Sequence, residues 1–309
     1  SLLCYAVKAN GHPDVVATLA EVTDGLEVAS GGELALAVAA GARFVVFGGP
    51  AKTDAELAAA LAAGALVNVE SHTELLRLAT LAAAAGGGQV PVALRVNRAG
   101  AGLPGSHRMT GVPTPFGIDD ADLDAVLARI PAPLRVVGLH LHAVSNNLDA
   151  GAHAAFVAEA VRWSAATAAR HRLELRYVNV GGGFGVDYTG SASFDLAELR
   201  GGPVEAAAAL PTGTRLIFEP GRLLAAAAGW YAAEVIDVKR THGRWFAVLR
   251  GGTHHFRLPA AWGYSHPCTV LPVDRWPYPF ARPQAAGVPV DVVGELCTPR
   301  DVLARAAPL

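Results

Sequence analysis

The stretch that decides the fold is Cys4-Tyr5-Ala6-Val7-Lys8-Ala9-Asn10, the end of an apolar run that begins at Leu2. A short run without polar alternation reads as a strand buried on both faces. It delivers a single lysine, Lys8, at its end. Desolvation lowers the pKa of an ammonium, and a neutral amine can form a Schiff base with an aldehyde. The other reading is a lysine that leaves a core strand and extends to water. This stretch alone leaves both open.

Outward from that strand the chain keeps one beat to residue 222. Strands are expected at 2–7, 25–29, 43–47, 65–69, 90–96, 135–141, 175–180 and 215–218. Helices are expected at 12–22, 31–40, 53–63, 71–85, 119–129, 150–170 and 203–210. The fourth opens on Ser71 with Glu74 three residues later, a capping box. Eight beats in roughly 220 residues approach the ~250 typical of a (β/α)8 barrel. A doubly wound open sheet is the runner-up. In a barrel, chemistry sits at the C-terminal strand ends. Here those ends carry Lys8, Glu27 with Ser30, Gly48 with Gly49, Glu70, Arg95 with Asn97, His140 with His142, Gly181 with Gly182 and Gly183, and Glu219 with Arg222. Beyond residue 222 no long helix is expected. Segments 230–239, 244–249, 268–273 and 288–293 read as β-strands between Gly and Pro turns. The expected organisation is a barrel over 1–222 and a partial all-β domain over 223–309.

The chain has 309 residues, 52% of them hydrophobic and 17% charged, which suffices for a large core. A formal net charge of -2 and the lack of a basic run argue against a nucleic-acid partner. No apolar stretch is long enough to span a bilayer, so no membrane association is expected. Cys4, Cys268 and Cys297 are odd in number and widely spaced. They suggest neither a disulfide framework nor a zinc site, and a reducing cytoplasm fits. The chain starts inside a strand without an initiator Met, so segments are expected to be missing at both ends.

Three motifs carry chemistry. Gly181-Gly182-Gly183-Phe184-Gly185 follows a strand and can turn N–H groups towards a phosphate. Glu219-Pro220-Gly221-Arg222 ends the eighth strand. It reads either as a rim ion pair or as two ligands, Arg222 towards a phosphate and Glu219 towards a ring nitrogen. His140 and His142 have strand spacing and face one side. Such a pair can bind zinc, but no further ligands lie nearby in sequence, so stacking or hydrogen bonding is at least as good a reading.

Lysine, phosphate loop, histidine and glutamate together describe a pyridoxal phosphate pocket. The chain resembles the fold-type III pyridoxal phosphate decarboxylases, the group of diaminopimelate, ornithine and arginine decarboxylases. The motifs are YAVKAN at 5–10, EVASGGEL at 27–34, GLHLHAVS at 138–145, GGGFG at 181–185, EPGR at 219–222 and GELCTPRD at 294–301. The resemblance implies an alanine-racemase-like (β/α)8 TIM barrel plus a C-terminal all-β domain, working as a homodimer with shared active sites. It implies that Lys8 is the Schiff-base lysine and that His142 stacks on the cofactor ring. Ser145, Gly182 and Gly183 would hold the phosphate beside Arg222, and Glu219 would pair with the pyridine nitrogen. Cys297 would reach the neighbouring subunit's site and supply a proton.

Two departures bear on the substrate. Diaminopimelate and ornithine enzymes carry an acid after the cysteine, which grips a distal amine; here it is Thr298. The Asp-Gly-Gly of the family's β-domain is Arg250-Gly251-Gly252, followed by Thr253, His254, His255, Phe256 and Arg257. With His254, His255, Arg257 and Arg300 in place of negative charge, the distal pocket should prefer a carboxylate-bearing or conjugated tail. The pattern resembles the branch that decarboxylates citryl-diamino acid siderophore intermediates or carrier-bound amino acids. Plain diaminopimelate decarboxylation, a racemase and a non-enzymatic cofactor carrier are the alternatives. The carrier proteins lack the β-domain and the cysteine motif, which argues against them.

Overall fold

The computed structural model describes residues 1–100, 103–105, 107–256 and 265–309. They form two compact units, Ser1–Asp187 with Ala192–Ala228, and Tyr188–Ser191 with Gly229–Leu309.

The first unit is a closed parallel barrel. Its strands are β1 (Leu2–Ala6), β2 (Gly25–Val28), β3 (Val45–Phe47), β4 (Leu66–Val69), β5 (Val90–Asn97), β6 (Leu134–His140), β7 (Tyr177–Asn179) and β8 (Arg215–Phe218). Each pairs with its neighbour in parallel, and β8 returns to β1 to close the ring. Helices α1 (Pro13–Val22), α2 (Gly31–Ala39), α3 (Asp54–Ala62), α4 (His72–Ala84), α5 (Leu123–Leu127), α6 (Ala150–His171), α7 (Leu196–Ala207) and α8 (Arg222–Ala225) lie between or after the strands.

Caps explain several helix starts. Thr53 and Glu56 form a reciprocal capping box at α3. The box expected at Ser71 is half formed. Ser71 Oγ accepts from the Glu74 N–H at 3.0 Å, but the Glu74 carboxylate turns away to Lys52. A buried ammonium competes better for that carboxylate than a backbone N–H does. Helix α7 begins seven residues before the expected start at 203, capped by Asp195, whose carboxylate accepts from Ala197 and Glu198.

Strand alternation sorts the core into two layers. Tyr5, Val7, Leu26, Phe47, Val67, Leu94 and Val178 pack outward against helix residues such as Val16, Leu34, Leu57 and Leu78. Leu2, Cys4, Val46, Leu66, Ala93, Val137 and Ile217 fill the barrel interior. Two residues further along the strands, the interior turns polar.

One irregularity breaks the register of the ring. On β5 and β6, Val92 pairs with Val136, but Ala93 pairs with Gly138. The extra residue on β6 is a bulge, which re-aims every later side chain of that strand. Arg95 therefore faces His140 rather than Leu139 across the ladder.

The second unit holds one four-stranded sheet. Its strands are β9 (Val235–Thr241), β10 (Arg244–Leu249), β11 (Pro289–Val293) and β12 (Val302–Pro308), in that order. The β9–β10 and β11–β12 pairs are antiparallel and β10–β11 is parallel. The expected strand at 268–273 does not form. That segment is exposed and unpaired, flanked by Pro267 and interrupted by Pro272, which cannot donate to a ladder. The strand expected at 230–239 starts five residues later, and β12, which was not expected, completes the sheet.

Candidate active site

The polar level of the barrel interior gathers at the C-terminal strand ends. Lys8 follows β1 on a single 3₁₀ turn, Val7–Ala9. Its Nζ lies 2.5 Å from Glu27 Oε2 at the end of β2. Partial desolvation at the crowded strand ends opposes the charge of this solvent-accessible lysine, but Glu27 and Glu219 outweigh it and hold the ammonium above its ordinary pKa. Desolvation alone would lower it, as expected from the apolar strand; the paired carboxylates reverse the sign.

Glu219 follows β8 and is buried. Its Oε1 accepts from Asn179 Nδ2 at 2.5 Å, and its Oε2 stands 3.6 Å from His140 Nε2. Burial and the charge of Glu27 push its carboxyl up to about 7. Asn179 also accepts from the Gly181 N–H at 2.9 Å, so one side chain joins the acid to the glycine loop.

The glycine loop has no room for side chains. A Cβ on Gly181 would strike His142, one on Gly182 the Glu219 carbonyl, and one on Gly183 the Val144 carbonyl. Gly181 and Gly183 also have positive φ, which favours glycine. The Gly182 N–H donates to His142 Nδ1 at 3.2 Å, which fixes the plane of that ring. Burial and the nearby Arg95 and Lys8 charges hold His142 well below its ordinary pKa. His142 lies two residues beyond β6, its ring centroid 6.4 Å from that of His140.

Around this centre runs a second ring of charge. Glu70 Oε1 accepts from Arg95 at 3.0 Å and from the Gly49 N–H at 2.6 Å. Arg95 lies over the Phe116 ring at 4.5 Å. Lys52, buried, donates to Glu74 at 2.7 Å and to the carbonyls of Gly49 and Asn68. Ser30, counted among the strand-end groups, caps α2 through the Glu33 N–H. Ser145 pairs through its backbone with His107, and Arg222 opens α8.

In the second unit, Asp301 is the buried anchor. Its carboxylate accepts from the Thr253 N–H at 2.7 Å and the Leu296 N–H at 2.8 Å. Those two bonds tie the turn bearing His254 and His255 to the turn bearing Glu295 and Cys297. His254 Nε2 lies 3.3 Å from Glu295 Oε1, and the two histidine rings are 3.9 Å apart. Ligand atoms of His254, His255 and Glu295 all lie within 4.8 Å of one another. Cys297 and Thr298 are exposed. Arg257 lies outside the described residues.

Sequence reasoning passed over Asn179, Lys52 and Asp301. Asn179 was detectable as a polar residue in an apolar strand two positions before the glycine loop. Lys52 and Asp301 had no such signal, since the Glu74 carboxylate and the Thr253 N–H that they meet are 22 and 48 residues away in the chain.

These residues fit pyridoxal phosphate. A lysine above two carboxylates, a side-chain-free loop and a fixed histidine plane match an aldehyde, a phosphate and a flat ring. Residues 1–226 match the family described as pyridoxal-dependent decarboxylase, pyridoxal binding domain, and the chain belongs to that family of pyridoxal phosphate-dependent carboxy-lyases. Over 97% of its length it is 38% identical to the 2-[(L-alanin-3-ylcarbamoyl)methyl]-2-hydroxybutanedioate decarboxylase of Staphylococcus aureus, covering 76% of that protein. It is 35% identical to the diaminopimelate decarboxylase of Deinococcus radiodurans, over 99% of this chain and 73% of that one. The L-glutamyl-[BtrI acyl-carrier protein] decarboxylase of Niallia circulans is 30% identical, over 97% and 72% respectively. The crystal structure of Helicobacter pylori diaminopimelate decarboxylase with L-lysine superposes with a TM-score of 0.81 at 27% identity, over 100% of this chain and 76% of that one. Among the described residues no helix is long and apolar enough to cross a membrane.

Proposed function

We propose that this chain decarboxylates an amino acid already joined through its side chain to a carboxylate-bearing group, of the citryl-diamino acid or carrier-bound kind. The observation that carries this is Thr298, where a free-diamine enzyme needs an acid, on a turn tied by Asp301 to His254 and His255. A buried ammonium without a carboxylate partner costs on the order of several kcal/mol. A charge-assisted hydrogen bond to a substrate carboxylate contributes about 1.5–3 kcal/mol. The substrate named for the S. aureus relative is an alanine joined at C3, through an amide, to a hydroxybutanedioate, and so ends in carboxylates.

Within that reading Lys8 would hold the cofactor through its aldehyde carbon and would be set free as an amine beside Glu27 when the substrate amine takes its place. His142 lies against the ring face. Ser145, Gly182, Gly183 and Arg222 hold the phosphate. Glu219 keeps the ring nitrogen protonated, because an adjacent carboxylate favours the cation. Bound pyridoxal phosphate supplies the sink for the electron pair left at Cα when carbon dioxide departs. Cys297, from the partner subunit of a cytoplasmic homodimer, delivers the proton to Cα. His254, His255, Thr298 and Arg257 select the distal end.

The test is a decarboxylation assay comparing a citryl-diaminopropionate conjugate, meso-diaminopimelate and ornithine. The conjugate should win by orders of magnitude in kcat/KM, since each 1.36 kcal/mol is about tenfold. Equal turnover of a free diamine refutes the substrate assignment and favours diaminopimelate, as in the D. radiodurans relative. Lys8→Ala should lose the visible absorption band of the bound cofactor; an unchanged spectrum removes Lys8 from its role.

A further inference from the structure

We propose that His140 is a positioning residue for Glu219: as a neutral imidazole it donates its Nε2–H to Glu219 Oε2 and holds that carboxylate in its charged form. The inference rests on the reading that places Glu219 against the cofactor's ring nitrogen.

His140 is only 4% exposed, and among the described residues neither ring nitrogen has a hydrogen-bond partner. A buried polar group left in this state needs an explanation. The acceptor within reach is Glu219 Oε2, at 3.6 Å. That separation is just beyond a hydrogen bond. Glu219 Oε1 is already committed to Asn179. A carboxylate has about four acceptor positions, so Oε2 can take His140 and still face a ring N–H.

The backbone supports the assignment. Without the bulge between Val92 and Ala93, Arg95 would pair with Leu139 and His140 would point into the helix layer. The extra residue brings His140 to the polar interior beside Arg95 and Asn179. The titratable and charged groups that face it are Lys8 after β1, Lys52 after β3 and Arg95 on β5, with His142 beyond its own strand and the carboxylate of Glu219 after β8. Burial and those cations disfavour an imidazolium, so His140 stays a neutral donor.

The test uses the full chain loaded with pyridoxal phosphate and labelled with 15N-histidine. Magnetic resonance at neutral pH should show His140 neutral with its proton on Nε2. A proton on Nδ1, or an imidazolium, overturns the inference. Two variants supply an independent readout. His140→Gln keeps a neutral N–H donor and should hold cofactor affinity within about twofold. His140→Leu should weaken cofactor binding roughly tenfold or more. It should also move the pH midpoint of that binding up by about one unit. Equal behaviour of Gln and Leu overturns the proposal. If His140→Leu does not fold, the tautomer of the unsubstituted protein decides alone. If the unsubstituted protein fails to bind pyridoxal phosphate, the functional reading falls, and the tautomer measured without cofactor still decides whether His140 donates to Glu219.

Discussion

In the barrel mouth, Glu27, Glu70, Arg95, His140 and Glu219 are each at most 7% exposed and sit at strand ends. In the second unit His254, His255 and Glu295 stand on exposed turns, and the buried group is Asp301 beneath them, at 2%. The mouth buries these titratable groups and leaves the Lys8 side chain accessible. The turns expose their histidines and glutamate and bury the anchor. Chemistry shared across a family needs charges that cannot move. On the proposed function the choice of substrate falls to these exposed side chains, which can be exchanged without disturbing the clamped turns.

The sharpest way to break this contrast is to remove a buried charge from the mouth. Lys52→Met leaves Glu74 buried without its cation, which should cost about 3–5 kcal/mol. Chemical denaturation of the cofactor-free protein measures it; a loss below about 1 kcal/mol would mean that water reaches the pair. Next comes Glu219→Gln. It should lower kcat by about 10²–10³, the usual effect of deleting one preorganised electrostatic group. The protein should still fold, and a change confined to KM would place Glu219 outside the reacting centre.

Asp301→Ala should be smaller. It strands the Thr253 and Leu296 N–H groups, at about 1–3 kcal/mol each if they stay dry. Hydrogen exchange of the two turns should rise while the barrel strands stay protected. Unchanged protection would show that the turns hold without the clamp. Backbone hydrogen bonds outweigh burial and hold the Asp301 carboxyl below its ordinary pKa. Its contribution is present above the unfolded carboxylate range and is lost as pH falls through the folded value. Glu219 has the opposite sign. Its folded value of about 7 lies above the ordinary 4.5, so the folded state binds the extra proton between them. Stability of the cofactor-free protein from this group should fall as pH rises from about 4.5 to 7. Thermal melts of Glu219→Gln across that window should show a flatter profile than the unsubstituted protein.

The smallest effect is a labelling pattern. Cys4 lies in the barrel interior and burial pushes its thiol far up, whereas Cys268 and Cys297 are exposed. A thiol reagent should modify two cysteines on the folded chain and three after denaturation. Rapid modification of Cys4 would mean that the barrel opens.

The barrel was legible because its strands are apolar on both faces and its polar residues fall at one end. Leu2 to Val7 and the glycine loop announce themselves locally. The β-unit was harder. Segment 268–273 has strand composition, yet its prolines deny it a ladder, while Val302–Pro308 looks unremarkable until β11 is placed beside it. At the site, Lys8, His142, Gly182 and Glu219 could be named from motifs. The pairing of Lys52 with Glu74 and the grip of Asp301 could not, because each joins residues that only the fold brings together. The bulge that aims His140 inward is invisible in GLHLHAVS itself, since it exists only relative to β5.

That register carries a consequence for how the protein tolerates changes in length. Each strand except the bulged β6 places its residue in the mouth by counting in twos. One residue inserted or deleted within β1, β2, β5 or β7 would turn Lys8, Glu27, Arg95 or Asn179 towards the helices and an apolar neighbour towards the ligand. The loops on the far rim, such as that between α1 and β2, face no such arithmetic, and doubling one costs only about 0.6 kcal/mol. Length variation among functional homologues should therefore fall in loops and helix ends, and fusion partners should be accepted there and refused in the strands.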